Sequence, residues 1–164
     1  MRPLSSPVYE HRLLGRAETA IGLIFAIIAS ALNPLDAFVG LVVVAPVLTA
    51  LLYYSVFRRV ARHAVADPEP APTTDREDPA VYARRLRWPL AAQVVVFLVF
   101  TATTQAPGLL GGIALGVGVA LILTARWLER WENAHEVGLL RESGARRRTS
   151  DGGVTGGYYV AGGT

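Results

Sequence analysis

The chain has 164 residues, of which 52% are hydrophobic and only 18% are charged, and its mean hydropathy is +0.36. This composition is more apolar than that of ordinary water-soluble domains and indicates a protein whose solvent is the lipid bilayer. The sequence contains no cysteine, which excludes disulfides, thiolate nucleophiles and cysteine metal sites, and its net charge of +3 matters mainly through its distribution.

The first two apolar runs predict a helical hairpin that crosses the membrane twice. Residues 1–16 are a polar arm with three arginines, and the apolar run 17–32 follows it. Only four residues separate this run from a second apolar segment, 37–57, which contains Pro46. We therefore predict a first transmembrane hairpin over residues 17–57, with a tight turn and a kink in its second helix.

A cleaved signal peptide is the alternative interpretation of the first apolar run. The basic leader, the short apolar region and the tripeptide Ala29-Ser30-Ala31 resemble a secretory signal and its cleavage site. The length of the leader and the short connection to the next apolar segment favour the hairpin. Removal of residues 1–31 would leave three spans in the same orientation.

Residues 58–88 are predicted to form a cytoplasmic linker between two hairpins. Its part 66–79 contains four prolines and five acids and cannot bury enough apolar surface to form a core. Asp78 and Pro79 then form a helix-start signal, with an N-cap followed by proline at the first helical position. We expect a short helix over residues 80–88 that lies at the membrane surface.

The second half of the chain predicts another transmembrane hairpin, over residues 89–128. Its fourth span, 108–124, is apolar apart from a closing threonine and, with its flank, is long enough to cross the hydrocarbon core. The helical pattern continues into a cytoplasmic extension, 129–144. Residues 145–164 are rich in glycine and lack hydrophobic periodicity, so we expect a disordered tail.

Small residues recur at every fourth position in the first and fourth spans. This spacing places small side chains along one helix face, where another backbone can approach closely. Such faces could join the two hairpins or dock another membrane protein. The predicted helix-packing residues are Gly108, Gly112, Gly116 and Ala120 in the fourth span and Gly22, Ala26 and Ser30 in the first.

The arginines predict the orientation of the chain in the membrane. Three precede the first span, seven lie between the second and third, and six follow the fourth, whereas the two short turns contain none. Under the positive-inside rule, both termini and the central linker are cytoplasmic. The predicted fold is an all-α, multi-pass integral protein of the plasma membrane, with four transmembrane helices arranged as two antiparallel hairpins.

Arginines and tryptophans near the predicted membrane surface are candidates for lipid contact. The arginine clusters could hold anionic headgroups, or they could serve only to orient the helices during insertion. Tryptophan favours the same depth because its ring is amphipathic. The residues assigned to this interface are Arg58, Arg59, Arg62, Arg84, Arg85, Arg87, Trp88, Trp127 and Trp131.

Glu18 is the ionisable residue of the spans that could act inside the membrane. It lies at the cytoplasmic edge of the first span, where it could also reach water or pair with Arg16. A glutamate in the first of four short helices resembles the small multidrug resistance transporters, and this resemblance implies an acid that exchanges protons for cations. The arginine-rich linker and the long C-terminal extension depart from the pattern of that family.

The remaining polar residues do not form a catalytic set. Glu132 and His135 make a single E-x-x-H pair, which supplies too few ligands for a metal centre, and no nucleophile elbow or phosphate-binding loop occurs. We therefore expect no enzymatic activity, no cofactor, no metal and no nucleic-acid binding.

The sequence favours a non-enzymatic scaffold or accessory subunit of a membrane complex. Its expected partners are membrane lipids, anionic ones among them, and another membrane protein or a second copy of the chain. A small oligomeric transporter or pore for ions or small molecules is the alternative, with Glu18 as the coupling acid.

Overall fold

Four long helices make up most of the protein in the computed structural model, which describes residues 4–32, 43–66, 69–71, 77–104, 107–142 and 158–161. The helices are α1 (Pro7–Leu32), α2 (Ala45–Ala66), α3 (Pro79–Thr104) and α4 (Pro107–His135). Four short strands accompany them in the described ranges: β1 (Leu4–Ser5), β2 (Glu69–Pro70), β3 (Gly138–Glu142) and β4 (Tyr159–Ala161). The predicted helical class is confirmed, with a small sheet added.

Three of the helices, α1, α3 and α4, are long and apolar enough to cross a membrane. Each therefore meets the length that a hydrocarbon core of about 30 Å requires. For the predicted second span, residues 37–42 lie outside the described residues, and the rest is largely in α2. Pro46 is the second residue of α2, and a π-helical turn at 43–44 precedes it.

The helix α4 is the centre of the bundle. It packs most extensively against α1 and, on a different face, against α2, whereas α3 makes few contacts with the other helices. In the most apolar stretch of each helix, 56% of the residues are buried in α4 and 39% in α1, but none of the described α3 stretch is buried. Large apolar side chains of the outer helices are exposed, as expected for a surface that lipid covers.

The predicted surface helix and the third span are one continuous helix, α3. The sequence predicted two separate segments here, a surface helix over residues 80–88 and a second hairpin that begins at residue 89. In the structure, Pro89 is accommodated inside the helix, where it lacks the N–H that would bond to the Arg85 carbonyl.

The strands form a single sheet in the order β1-β3-β4-β2. Strand β3 pairs antiparallel with both β1 and β4, and β2 pairs parallel with β4. The sheet lies where α1 begins and where α2 and α4 end. It therefore brings the N-terminal arm, the linker after α2 and the C-terminal segment together at one end of the bundle.

The predicted helical extension over residues 129–144 is helical only as far as His135. The helix stops at His135 because Glu136 has a left-handed backbone with φ of 53°, and β3 follows. The Leu139 N–H donates to a side-chain oxygen of Glu132 at 2.7 Å, which fixes the turn into the strand. Helix-forming side chains continue in this stretch, but strand pairing overrides their local preference.

The predicted disordered tail contains a strand in its described part. Residues Tyr159–Ala161 form β4, whose partners β3 and β2 are distant in sequence. Tyr158 and Tyr159 are buried against the bundle and the sheet. The other residues of the predicted tail, from 145 to 157 and from 162 to 164, lie outside the described residues.

Candidate functional site

Glycines bring the backbones of α1 and α4 into direct contact. A Cβ placed on Gly22 would lie 2.6 Å from the Leu115 amide nitrogen, and one on Gly118 would lie 2.6 Å from an amide nitrogen of α1. No side chain fits at such distances, so the contact requires glycine at both positions. Gly15 and Gly111 make similar close approaches seven residues earlier on each helix, and a seven-residue step returns to nearly the same helix face.

The predicted packing residues of the fourth span are buried, and one of them marks the contact with α2. A Cβ on Gly116 would lie 2.6 Å from the Pro46 carbonyl oxygen and 2.7 Å from the Thr49 Cβ. Gly108 and Gly112 are buried as well, and Ala120 has no exposed surface. The four-residue stripe that includes Gly116 therefore does not coincide with the glycines that meet α1.

On α1, the predicted packing residues lie in two environments. Gly22 and Ala26 are buried against α4, where a Cβ on Gly111 would lie 3.0 Å from the Ala26 amide nitrogen. Ser30 is exposed and donates its hydroxyl to the Ile27 carbonyl of its own helix at 2.7 Å. The four-residue spacing identified Gly22 and Ala26 in this contact but missed Gly15, Gly111 and Gly118, which a seven-residue glycine spacing on each helix would have indicated.

A buried carboxylate links α1 to the outlying helix α3. Glu18 is only 8% exposed, and the Gln93 side-chain amide donates a hydrogen bond to its Oε2 at 2.8 Å. Two turns further along α1, the ring of Phe25 meets the ring of Phe97 of α3 edge to face, with centroids 5.3 Å apart. The candidate coupling acid thus lies between two helices, where Gln93 can hydrogen-bond it in either protonation state.

A second buried acid, Glu10, lies where α1 meets the sheet. It is 2% exposed, forms an ion pair with Arg141 of β3 and accepts a hydrogen bond from the Ser5 hydroxyl at 2.5 Å. Burial raises the pKa of the nearby Tyr158 phenol, an effect that the Arg141 charge reduces. No sequence pattern indicated this cluster, because Glu10 and Arg141 come from opposite ends of the chain.

The candidate interface tryptophans differ in their surroundings. Trp88 is 82% exposed, whereas Trp127 and Trp131 are partly buried against the core between α1, α2, α4 and the C-terminal strands. His135 stacks on Trp131 with ring centroids 4.1 Å apart and contacts the Trp131 carbonyl through Nδ1. Glu132, the other member of the E-x-x-H pair, binds the start of β3, so both residues have structural contacts.

The candidate headgroup arginines form two groups with different geometry. Arg84, Arg85 and Arg87 are exposed at the start of α3, where Arg85 pairs with Glu77, whose side chain is only 3% exposed. The α2 group instead lines a groove of about 500 Å³, bounded by Tyr54, Ser55, Arg58, Arg59, Arg62 and His63. Of the two arginine groups, only this second one therefore borders a groove among the cavities found in the described chain.

Three polar features therefore stand out in the described structure: the Glu18–Gln93 contact, the Glu10–Arg141 pair and the arginine-lined groove on α2. Within the same residues, no group of three or more histidine, aspartate or glutamate side chains is placed to hold a metal ion. Comparison of the chain with protein-family models, with curated proteins and with solved structures finds no match.

Proposed function

We propose that this protein is a non-enzymatic scaffold or accessory subunit of a membrane complex. Its glycine contacts build a compact unit of α1, α2 and α4, and α3 offers a surface to another membrane protein. The carrying observation is that none of the apolar stretch of α3 is buried within the described structure, although the neighbouring α1 and α4 are extensively packed.

The glycines pack α1, α2 and α4 against one another, which leaves α3 as the helix available to a partner. Gly22 and Gly118 contact backbone atoms of the same chain, and Gly116 contacts α2. These positions are therefore occupied and cannot receive a partner helix without opening the bundle. The apolar side of α3, with Val96 and Val99 about 60% exposed, remains accessible for docking.

The experiment is affinity purification of the full chain in mild detergent, with quantification of each co-purifying membrane protein. Replacing Val96 and Val99 with tryptophan should lower recovery of the specific partner at least about tenfold, because bulky rings prevent close helix packing. The control replaces Leu48 and Leu51 of α2, which are equally exposed and also three residues apart, with tryptophan. Equal recovery with both variants would contradict docking on α3.

We infer that both termini and the linker between α2 and α3 are cytoplasmic. The sheet supports a common side for these segments, because strands from all three pair with one another. The arginine distribution then favours the cytoplasmic side.

Single cysteines can test this orientation, because the natural chain has none. In Asp78→Cys and Glu136→Cys, an impermeant maleimide should react from the cytoplasmic side of the membrane. In Leu32→Cys, at the opposite end of α1, it should react from the other side. All three residues are exposed in the structure. Labelling of Asp78→Cys and Glu136→Cys from opposite sides would exclude the proposed topology.

A small proton-coupled transporter is the second candidate, and the burial of Glu18 against Gln93 favours it. A carboxyl group that is removed from water inside a helical bundle can couple its proton to the binding of a cation. Glu18→Gln should then abolish proton release on addition of tetraphenylphosphonium to the detergent-solubilised protein. Glu129→Gln, which removes a half-exposed acid of α4, should retain it. Absence of proton release from the natural chain would eliminate this candidate.

A further inference from the structure

The groove on α2 lies where the apolar surface of that helix ends. In the preceding turns, Leu48, Leu51 and Leu52 are each more than 60% exposed, as residues facing lipid would be. Arg58 is the first charged residue after them, and the groove extends from Tyr54 to His63. A helix that crosses a bilayer would therefore place this groove at the depth of the lipid phosphates.

Arg58 lines the groove beside the ring of Tyr54. Its guanidinium carbon lies 5.8 Å from the centroid of the Tyr54 ring, within the range of a cation–π contact. Its Nε is shielded from solvent and has no hydrogen-bond partner among the described residues. A shielded N–H without an acceptor is unfavourable, so an anionic acceptor in the groove would stabilise this arrangement.

The lining of the groove matches a phosphate group. None of its six described side chains is acidic, and three are arginines, whose N–H groups can bind two phosphate oxygens at once. The Ser55 hydroxyl already donates to the Leu52 carbonyl at 2.7 Å, which leaves the arginines as the main donors. The volume of about 500 Å³ falls within the range of small-molecule sites.

We propose that this groove binds the phosphate of an anionic glycerophospholipid. The exposed leucines of the same helix provide the surface for the acyl chains, which a soluble phosphate ester lacks. The arginines hold the headgroup where the helix leaves the hydrocarbon core. This site is independent of whether α3 docks a partner.

The test measures binding of fluorescent phosphatidylglycerol to the full chain in detergent, with fluorescent phosphatidylcholine as the neutral lipid. The natural chain should prefer phosphatidylglycerol about tenfold or more. In the variant Arg58→Gln/Arg62→Gln, the affinity for phosphatidylglycerol should fall about 25-fold, because each arginine contributes a factor of about five.

The matched control is Arg126→Gln/Arg130→Gln on α4. These two arginines are exposed and, like Arg58 and Arg62, lie one turn apart, so the control removes the same charge from another helix. Its affinity should stay within about twofold of the natural value, because distant exposed charges are screened by salt. Should the double variants fail to fold, Arg58→Gln and Arg126→Gln supply the same comparison, with an expected loss of about fivefold only for Arg58→Gln.

Two outcomes would overturn the site. An equal loss of affinity in the α2 and α4 variants would mean that lipid affinity depends on the overall charge of the protein and not on the groove. Saturation of the groove by millimolar glycerol 3-phosphate, measured as full displacement of the fluorescent lipid, would make a soluble phosphate ester the ligand. A selective loss in the α2 variant with no displacement by glycerol 3-phosphate would support the lipid site.

Discussion

The contact between α1 and α4 and the contact between α1 and α3 show two ways of joining apolar helices. Between α1 and α4, glycines let main-chain atoms touch, and a Cβ at Gly22 or Gly118 would collide with the facing backbone. Between α1 and α3, the described contacts are made by side chains: Gln93 donates a hydrogen bond to Glu18, Phe97 meets Phe25 edge to face, and Tyr9 contacts Tyr82 and the Pro79 carbonyl.

The difference is physical, because lipid tails compete equally for every apolar side chain. Helices in a bilayer are therefore held by close van der Waals packing and by polar contacts rather than by burial alone. The α1–α4 contact uses packing along several turns, whereas the α1–α3 contact relies on a few side chains. We accordingly expect α1 and α4 to remain together under conditions that release α3.

The largest expected effect comes from adding a methyl group to the α1–α4 contact. Gly22→Ala should destabilise the protein by about 2–3 kcal/mol, because the new Cβ must displace backbone atoms. Intrinsic helix propensity alone would favour alanine by about 1 kcal/mol, so the sign of the effect tests the packing. The measurement is thermal unfolding of the purified protein in detergent.

Gly138→Ala is the control for that substitution. A Cβ at Gly138 would meet nothing within 4 Å, so the same change in β3 should shift stability by less than about 0.5 kcal/mol. A Gly22→Ala variant as stable as Gly138→Ala would show that α1 and α4 are not in backbone contact.

A smaller effect is expected at the end of α1 that meets the sheet. Arg141→Met leaves Glu10 buried without its cation and should lower the free energy of unfolding by about 2 kcal/mol. This value is smaller than for a fully buried ion pair because the Arg141 side chain is 38% exposed. Arg12→Met breaks the α1–α4 ion pair with Glu129, in which both side chains are about 40% exposed, and should change stability by less than about 1 kcal/mol.

Limited proteolysis tests whether the Glu10–Arg141 ion pair attaches the sheet to α1. Arg141→Met should speed cleavage in β3 and β4, because the ion pair attaches that sheet to α1. Arg12→Met should leave the cleavage rate unchanged. Identical proteolysis of the two variants would contradict an anchoring role for Glu10.

The smallest effect is expected at the α1–α3 contact. Gln93→Leu should destabilise the protein by about 1 kcal/mol, because Glu18 loses its hydrogen-bond donor. Spin labels at the exposed positions Ala20 and Val95 should show a broader distance distribution in this variant, since α3 loses the polar contact near the middle of α1. Thr103→Val, whose hydroxyl bonds only to its own helix among the contacts observed in the described chain, should leave the distribution unchanged. A narrow distribution in Gln93→Leu would show that other contacts fix α3.

Apolar segments of sufficient length predicted the helices well. Their boundaries were less predictable, as at Trp88, where the predicted surface helix and third span are continuous, and at His135, where the helix stops early. At His135, strand pairing of the following residues overrides the local helical preference. At Trp88, which is 82% exposed, the helix continues through Pro89 because the preference of a residue before proline is only a weak signal.

The candidate site residues were predictable to the extent that they depend on local composition. Arginines after an apolar run mark the membrane edge, and the sequence therefore indicated Arg58 and Arg62. The sequence could not show that these side chains surround a groove, since this depends on their directions around α2. It also could not reveal that Gln93 is the partner of Glu18, because the two residues belong to different helices.

By itself, the sequence determined the helical class and the presence of long apolar segments, because hydropathy and length are properties of each segment alone. Tertiary structure decided which glycines meet which helix, that α3 remains at the edge, and that distant segments form one sheet. Backbone contact and strand pairing depend on two chain segments at once. The residues that determine each such contact therefore lie far apart in the sequence, where no local pattern connects them.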